Sequence, residues 1–317
     1  MRYILAVDRG GTKCDALLVG EDGSVAGRGR CDYRHPESGR GWGGSGRTEE
    51  NRRRAVRQAL RGWRGGDSLT LVGDCTLAPG DLPPGVDCPI FRRPASEQDI
   101  GLAFLHGRPG IAALVGTGAL LVGRAADGRV ETMDGLGPFL GDYGSAYHIG
   151  ALAMRAAAKA HWHPRHGTSL ARVVPDACAA HAGSPPNFHL VAYSLQARDR
   201  SEIAALAALV DREAAAGDAV SQRILEEAAG ALAETVWDLR ERMGLTGEPM
   251  TLVGAGSVIA GSDRYWECLR ARVEAFAPGV RATRILQPAI LGYVLLGARE
   301  MGWPIAERLP EMLFPAD

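Results

Sequence analysis

Tyr3-Ile4-Leu5-Ala6-Val7 runs directly into Asp8-Arg9-Gly10-Gly11-Thr12-Lys13, so a short apolar segment ends in a glycine turn. A second apolar segment, Asp15 to Val19, follows and closes on Asp22-Gly23. Short apolar runs bounded by glycine and Asp-Gly are typical of β-strands joined by tight turns. The sequence therefore predicts a strand, a glycine turn and a second strand, with a third strand starting at Ser24.

The same order of segments returns later in the chain. An apolar run at 111–115 leads into Gly116-Thr117-Gly118, and residues 119–123 repeat the Ala-Leu-Leu-Val-Gly of residues 16–20. A five-residue identity could arise by chance in a chain rich in these residues, but the order of the elements agrees as well. We interpret it as a duplicated supersecondary unit, which predicts two similar lobes.

The second half of the chain has helical periodicity. Apolar residues recur at three- and four-residue steps from Ala219 to Met243, which predicts one long amphipathic helix. Further helices are predicted at 203–216, 263–276 and 288–300, and a strand at 251–253. Loops are predicted at 40–46 and 182–187. Arg52-Arg53-Arg54 is predicted to be the exposed face of another helix. The predicted strand leads into a third glycine turn, Gly254-Ala255-Gly256-Ser257.

Composition limits the classes of function. The 317 residues exceed the size at which one core usually stops growing, so two domains are expected. Apolar residues make up 46% and charged residues 23%, as in ordinary globular proteins. A formal charge of −1 gives no electrostatic reason to expect nucleic acid or an anionic membrane as a partner. A small diffusible ligand is therefore expected.

Cysteine and histidine spacing argues against a metal or disulfide frame. The six cysteines are scattered without a Cys-x-x-Cys pair, which indicates free thiols in a reducing compartment. The chain shows no signal-peptide pattern and no apolar stretch approaching ~18 residues, so we expect a cytoplasmic location. Three histidines lie within residues 161–166, but Pro164 interrupts the helix that would align them, so we interpret them as a solvated loop.

Glycine turns that directly follow strands can bind phosphate. Several backbone N–H groups can point into one concavity there, and a strand-ending aspartate such as Asp8 can hold Mg²⁺. One such turn is equally well a hairpin whose glycines supply positive φ; three of them favour a nucleotide site. A Walker loop is absent, and a dinucleotide fingerprint starting at Gly254 is broken by Ile259.

Four motifs resemble those of the BadF/BadG/BcrA/BcrD ATPase family, which includes N-acetylglucosamine and glucosamine kinases of the actin/hexokinase/Hsp70 superfamily. They are Asp8 to Lys13, Val115 to Gly118, Gly135 to Tyr147 and Leu252 to Gly256. The resemblance implies an α/β fold of two ribonuclease-H-like lobes with ATP and substrate in the cleft between them. We expect the lobes at 1–108 and 109–287, with a C-terminal helix in 288–317 packing back on the first.

The resemblance also implies an activity: ATP-dependent phosphorylation of an amino sugar or a related small hydroxyl compound, with ATP and Mg²⁺ as cofactors. By the family match, Asp8 would hold Mg²⁺, and the nucleotide would contact Asp8, Gly10, Gly11, Thr12, Lys13, Gly116, Thr117, Gly118, Gly254, Ala255, Gly256 and Ser257. A homodimer is common among such relatives.

Asp99 matches the catalytic base of these kinases, an aspartate at a helix start shortly before the Gly-Thr-Gly turn. A carboxylate suits the role because phosphoryl transfer needs the attacking hydroxyl held in line and its proton accepted. Ser96-Glu97-Gln98-Asp99 also reads as a plain helix start, in which the helix dipole favours Asp99. The two roles are compatible.

The sugar site implied by the match contains several departures from the family pattern. Its residues would be His35, Asp99, Gly118, Ala119, Gly135, Leu136, Gly137 and Asp142, with Asp142 near the sugar 2-substituent. The family usually has glycine at Arg9, asparagine at His35, serine at Ala119, tryptophan at Leu136 and glutamate at Tyr143. These departures leave a second hypothesis open: a catalytically altered family member that binds a sugar or nucleotide.

A third hypothesis comes from another branch of the family. Its dehydratase-activating ATPases hold an iron–sulfur cluster through clustered cysteines. The cysteines of this chain are dispersed, which disfavours that function.

Overall fold

The structure is a computed structural model that describes residues 1–9, 13–32, 45–73, 76–78, 80–182, 200–246, 250–309 and 313. The chain divides into two compact units. The first comprises Met1–Gly107 together with Gln287–Asp317, and the second comprises Arg108–Leu286.

Each unit contains one mixed β-sheet and packed helices. The strands are β1 (Arg2–Arg9), β2 (Lys13–Gly20), β3 (Val25–Asp32), β4 (Ser68–Gly73), β5 (Ile90–Arg93), β6 (Gly110–Val115), β7 (Ala119–Arg124), β8 (Val130–Asp134), β9 (Thr251–Ala255) and β10 (Arg281–Arg284). The α-helices with given bounds are α1 (Ser45–Leu60), α2 (Glu97–Leu105), α3 (Ala146–Trp162), α4 (Leu170–Ala182), α5 (Arg200–Ala204), α6 (Leu206–Ala215), α7 (Ala219–Met243), α8 (Ser257–Gly261), α9 (Asp263–Phe276) and α10 (Ile290–Glu300).

The two sheets have the same topology, which confirms the duplication predicted from the sequence. The first has the order β3-β2-β1-β4-β5, and the second has the order β8-β7-β6-β9-β10. In each, the first three strands pair antiparallel and the last two continue in parallel from the first strand. The repeated Ala-Leu-Leu-Val-Gly lies in the second strand of each sheet, in β2 and in β7.

In the first unit, α1 packs on one face of the sheet and α10 on the other. Helix α1 has one apolar face, since Ala55, Val56 and Leu60 are buried. The basic run on that helix is only partly exposed: Arg54 lies in solvent, whereas Arg52 is buried.

Helix α10 lies so close to the sheet that a Cβ on Gly297 would stand 2.9 Å from Val72 Cγ2. The C-terminal segment therefore completes the core of the first unit.

In the second unit the long predicted helix is confirmed as α7. Asp218 caps its N-terminus, where the aspartate side chain accepts a hydrogen bond from Ser221 N at 2.7 Å. Gly244, with a φ of 65°, caps its C-terminus. Its apolar face is buried against α9, where the fully buried Tyr265 donates its hydroxyl to Gly144 O at 2.9 Å. The single helix predicted at 203–216 is instead two helices, α5 and α6, that break at Ala205.

The histidine run is only partly the predicted loop, because His161 lies in the last turn of α3. Helix α3 ends at Trp162, and Pro164–His166 form a short 3₁₀ turn. Among the described residues, no three His, Cys, Asp or Glu side chains gather as a metal site would require. In the same part of the chain, no helix is long and apolar enough to cross a bilayer.

Close packing between α1 and β3 generates a prediction. A Cβ at Gly29 would lie 1.8 Å from Ala55 O, a backbone atom that cannot move aside alone. We expect Gly29→Ala to lower the free energy of unfolding by about 1–3 kcal/mol, because overpacking forces the helix off the sheet. Urea denaturation measures the change.

Gly261→Ala is the matched control, because a Cβ there would meet no heavy atom within 4 Å. Equal stability of the two variants would contradict the close approach of α1 to β3.

Candidate functional site

Asp8 ends the buried part of β1, beside other acidic groups. In the strand register it stands opposite Asp15, whose carboxylate is paired with Lys13 Nζ at 2.8 Å. Burial raises the pKa of Asp8 to about 6, with the negative charges of Asp15 and Glu97 adding to the effect and Lys13 opposing it. The site thus holds a carboxylate whose negative charge is poorly compensated, as a site for a cation would.

Asp99 lies at the start of α2 and is held by the residue that begins the helix. Its Oδ2 accepts hydrogen bonds from Ser96 N at 2.7 Å and from Ser96 Oγ at 2.9 Å. Asp99 is therefore part of a capping box, the structural alternative weighed from the sequence. Its side chain remains 27% exposed, so the cap does not remove it from solvent.

An open cavity of about 570 Å³ brings Asp99 together with the end of β1. Its lining residues come from β1, from the segment between β5 and α2, from the first turn of α2, and from α10: Val7, Arg9, Pro94, Ala95, Ser96, Glu97, Asp99 and Tyr293. Arg9, the departure from the family's glycine, therefore contributes to the wall beside the candidate base.

Arg93 and Glu300 are neighbours of Asp99 that the sequence did not indicate. Arg93 Nη2 lies 3.6 Å from Asp99 Oδ1 and 2.8 Å from Glu300 Oε1. The arginine ends β5 and the glutamate ends α10, so 207 residues separate them in sequence. No local sequence pattern could have indicated that pairing.

In the second unit, the sheet brings two of the predicted glycine turns together. Strands β6 and β9 pair in parallel with Leu114 opposite Ala255, so the turns that follow them are neighbours. Among the described residues, a Cβ at Gly116 would come within 4 Å of Ser257 Oγ alone, at 3.8 Å, so there is space on this side of the glycine. Its backbone groups are engaged, since the N–H donates to Gly118 O and the carbonyl accepts from Ala146 N, both at 2.9 Å. Gly256, with a φ of 104°, approaches Val115 O so closely that a Cβ would lie 2.4 Å away.

Asp142 is buried beside the Gly116–Gly118 turn. Its Oδ1 accepts a hydrogen bond from Ala119 N at 3.0 Å, and its Oδ2 accepts one from the Arg200 guanidinium. Burial raises the pKa of Asp142, while the Ala119 amide and Arg200 act in the opposite direction. Arg200 is a third residue beside the predicted site that sequence reasoning missed, because 58 residues separate it from its partner.

The loop that carries Asp142 is fixed by another aspartate. Asp134 accepts hydrogen bonds from Asp142 N at 2.6 Å and from Tyr143 N at 2.9 Å. Gly135 N donates to Ala119 O at 2.9 Å, which joins the predicted sugar-site residues of the loop to β7. Leu136 is 65% exposed on this loop, so the side chain that replaces the family's tryptophan lies in solvent.

Four predicted site residues are not tested by the structure. Gly10, Gly11, Thr12 and His35 lie outside the described residues.

With this geometry established, comparison with known proteins identifies the family. Residues 96–285 match the sequence model of the BadF/BadG/BcrA/BcrD ATPase family. The chain belongs to that family. The match covers Asp99, the Gly116–Gly118 turn, Asp142 and the Gly254–Ser257 turn, and it confirms the resemblance found in the sequence.

Two curated relatives of this BadF/BadG-family chain are sugar kinases. An N-acetylmuramic acid/N-acetylglucosamine kinase of Clostridium acetobutylicum is 29% identical over 207 residues, 65% of this chain and 66% of the relative. An N-acetyl-D-glucosamine kinase of Dictyostelium discoideum is 31% identical over 139 residues, 44% of this chain and 43% of the relative. The alignments thus span just under two thirds of one relative and less than half of the other.

Solved structures show the shared fold. A protein of Chromobacterium violaceum, provisionally assigned as an N-acetylglucosamine kinase, has a TM-score of 0.62 at 20% identity, covering 93% of this chain and 99% of that one. A glucokinase of Streptomyces griseus, solved with glucose and AMPPNP, has a TM-score of 0.56 at 15% identity, covering 94% and 98%. These similarities confirm the predicted α/β fold of two actin-like ATPase units.

The raised pKa of Asp8 generates a prediction for Asp8→Asn. Its pKa is about 6 in the folded protein against an ordinary value of 3.8. Between these pH values the native state keeps a proton that the unfolded chain has released, so rising pH destabilises the wild type. We expect the variant to gain stability relative to the wild type between about pH 4 and 6, by on the order of 3 kcal/mol at neutral pH.

Urea unfolding at several pH values measures the difference. Asp87→Asn, at an exposed aspartate of the same unit, is the control. A stability difference between Asp8→Asn and the wild type that is the same at pH 4 and pH 7 would show that Asp8 ionises normally.

Proposed function

We propose that this protein transfers the terminal phosphoryl group of ATP to a hydroxyl of an amino sugar of the N-acetylglucosamine or glucosamine type. The observation that carries the proposal is Asp99, a fixed carboxylate that lines an open cavity at the position of the family's catalytic base. The family match and the two curated sugar kinases support the class of reaction.

The contacts of Asp99 support the proposed role of general base. Both donors of Ser96 engage Oδ2, which fixes the carboxylate plane. Oδ1 lies 3.6 Å from Arg93, beyond normal hydrogen-bond distance, and so keeps lone pairs for an acceptor hydroxyl. In the proposed reaction Asp99 orients that hydroxyl for in-line attack and accepts its proton as the new P–O bond forms.

The second unit would bind the nucleotide. The backbone of Gly116, Thr117 and Gly118 would hold phosphate oxygens, and Gly254 to Ser257 would face the adenosine. The open space beside Gly116 fits this role, since a phosphate needs close approach to the backbone. Because the Gly116 N–H already donates to Gly118 O, the N–H groups of Thr117 and Gly118 would be the donors to phosphate. ATP supplies the phosphoryl group when bound.

Asp8 would hold Mg²⁺, with Lys13 beside it. Mg²⁺ bound to a nucleotide keeps much of its hydration and needs only one or two protein carboxylates. The uncompensated Asp8 fits that requirement without a cluster of three ligands. Gly10, Gly11 and Thr12 belong to the same proposed phosphate site.

The sugar would bind beside Asp142, Ala119 and the 135–137 loop, with His35 as a further contact. Asp142 presents a buried carboxylate that can accept a hydrogen bond from a sugar N–H, and Arg200 adds a donor next to it. The substrates are small, so no nucleic-acid or membrane partner is needed. A homodimer and a cytoplasmic location stay predictions.

Substitution of Asp99 tests the proposed base. Asparagine keeps an oxygen that can accept from Ser96 but cannot take a proton from the sugar. We expect Asp99→Asn to lower kcat by about 10²–10⁴-fold while calorimetry still detects ATP and sugar binding. Coupled detection of ADP across a panel of amino sugars, hexoses and their N-acetyl forms measures the activity.

Asp127→Asn is the control, because Asp127 sits in an exposed turn of the second unit and accepts only a local hydrogen bond from Arg129 N at 2.8 Å. Sugar binding by the wild type without any turnover would favour the altered, binding-only family member instead. Full activity of Asp99→Asn would remove Asp99 from the reaction.

Asp142→Asn tests the proposed sugar contact. The substitution removes the negative charge that engages Arg200, while the amide oxygen of asparagine can still accept from Ala119 N or from a sugar N–H. A hydrogen bond with one charged partner is worth about 1.5–3 kcal/mol, and the variant keeps only the weaker, uncharged one. We expect KM for the amino sugar to rise by about tenfold or more, with KM for ATP within about twofold. Steady-state kinetics with each substrate varied in turn measures both constants.

Asp176→Asn removes an exposed carboxylate from a surface pair with Arg172 and is the matched control. If Asp142→Asn raised KM for ATP as much as KM for the sugar, the residue would have no specific place in the sugar site.

A further inference from the structure

Arg93 and Glu300 form a support for the candidate base. We propose that Arg93 is a positioning residue for Asp99 and that Glu300, the last residue of α10, holds Arg93 in place. The inference rests on the proposed kinase function. It adds that the C-terminal segment, through Glu300 and Arg93, orients the carboxylate of Asp99.

Glu300 fixes one edge of the Arg93 guanidinium. Nε of Arg93 lies 3.0 Å from both Glu300 oxygens, and Nη2 lies 2.8 Å from Oε1. Nη1 donates to the carbonyl of Pro94, the next residue in the chain. Because the guanidinium is planar and rigid, these contacts leave it little freedom to rotate.

The Arg93 guanidinium, held by Glu300, lies next to Oδ1 of Asp99. Nη2 is the Arg93 atom closest to the carboxylate, at 3.6 Å from Oδ1. At that distance the charges attract without a full hydrogen bond, so the oxygen stays available to a substrate proton. Ser96 fixes Oδ2 on the opposite side. Asp99 is thus held by two hydrogen bonds at Oδ2 and by a weaker electrostatic attraction at Oδ1.

Helix α10 also contacts α2 at two places that do not involve Arg93. A Cβ at Gly292 would lie 2.6 Å from Ile100 Cγ2, so the two helices touch next to Asp99. Arg299, beside Glu300, donates to Ala103 O at 2.6 Å. Helix α10 therefore contacts α2 near its N-terminal end through Gly292 and near its C-terminal end through Arg299.

A purely structural ion pair is the competing explanation. Arg93 and Glu300 are 30% and 47% exposed, and such pairs add only about 0–1 kcal/mol to stability. A structural role predicts a small change in unfolding and no selective change in kcat. A positioning role predicts a fall in kcat, because a misplacement of about 1 Å at the reacting groups can reduce the rate about 10²-fold.

The experiment compares Arg93→Ala, Arg93→Lys and Glu300→Gln with two controls. Arg92→Ala removes the neighbouring, exposed arginine of β5. Glu267→Gln removes an exposed carboxylate that pairs with Arg270 at 2.6 Å in the second unit. Each variant is purified as the full chain, its unfolding temperature is measured, and kcat and KM are determined for ATP and the sugar.

We expect Arg93→Ala to lower kcat about 10- to 100-fold with both KM values within about twofold. Arg93→Lys recovers part of the lost kcat, because lysine restores the positive charge but not the planar guanidinium. Glu300→Gln lowers kcat about three- to tenfold, and the Arg93→Ala/Glu300→Gln double variant is no slower than Arg93→Ala alone, because both act through one contact. The controls stay within about twofold of the wild type.

The outcomes separate this inference from the proposed function. A wild type without turnover on every sugar, or an active Asp99→Asn, overturns the proposed function and the inference with it. If the wild type is active and Asp99→Asn is not, the inference alone fails when Arg93→Ala matches Arg92→Ala. It also fails when kcat, both KM values and the unfolding temperature of Arg93→Ala all change together, the pattern of a structural role.

Discussion

Parallel pairing next to the first strand of each sheet is the constraint on which the candidate site depends. Strands that run in parallel end at the same sheet edge, so segments far apart in sequence become neighbours there. In the first unit the pairing of β1, β4 and β5 places Arg9 and the Pro94–Asp99 segment around one cavity. In the second, the pairing of β6 with β9 joins the Gly116 and Gly256 turns. The duplicated topology therefore gathers the predicted site residues of each unit at one edge of its sheet.

Asp142, which is buried, and Asp8, which is half-buried, differ in how far the protein compensates their negative charge. Asp142 has Arg200 and the Ala119 amide against it, so its negative charge is matched within the protein. Asp8 faces Asp15 and Glu97, and its pKa rises to about 6. Burial raises the pKa of both groups, but only Asp142 is compensated by a guanidinium. An uncompensated carboxylate costs stability unless a cation completes it, which is the physical reason to associate Asp8 with a metal–phosphate ligand.

Sequence predicted what depends on local pattern and missed what depends on distant contacts. The strands at 3–7 and 111–115, their duplication and the helix at 219–243 followed from periodicity and turn residues. The break at Ala205 did not, because an apolar pattern continues through it. Arg93 and Arg200 were missed for another reason. Each is one of 36 lysines and arginines, and only the fold shows which of them lies against an acidic site residue.

The two roles weighed for Asp99 are carried by different atoms of one carboxylate. Helix α2 needs an acceptor for the N–H of Ser96, and Oδ2 supplies it. An aspartate in the first turn is also favoured by the helix dipole, so the structural role places the side chain at no extra cost. The same bond fixes the carboxylate plane and leaves Oδ1, 3.6 Å from Arg93, for the proposed reaction. If Asp99 is the base, the helix cap would also orient it, because the cap uses Oδ2 and proton transfer would use Oδ1.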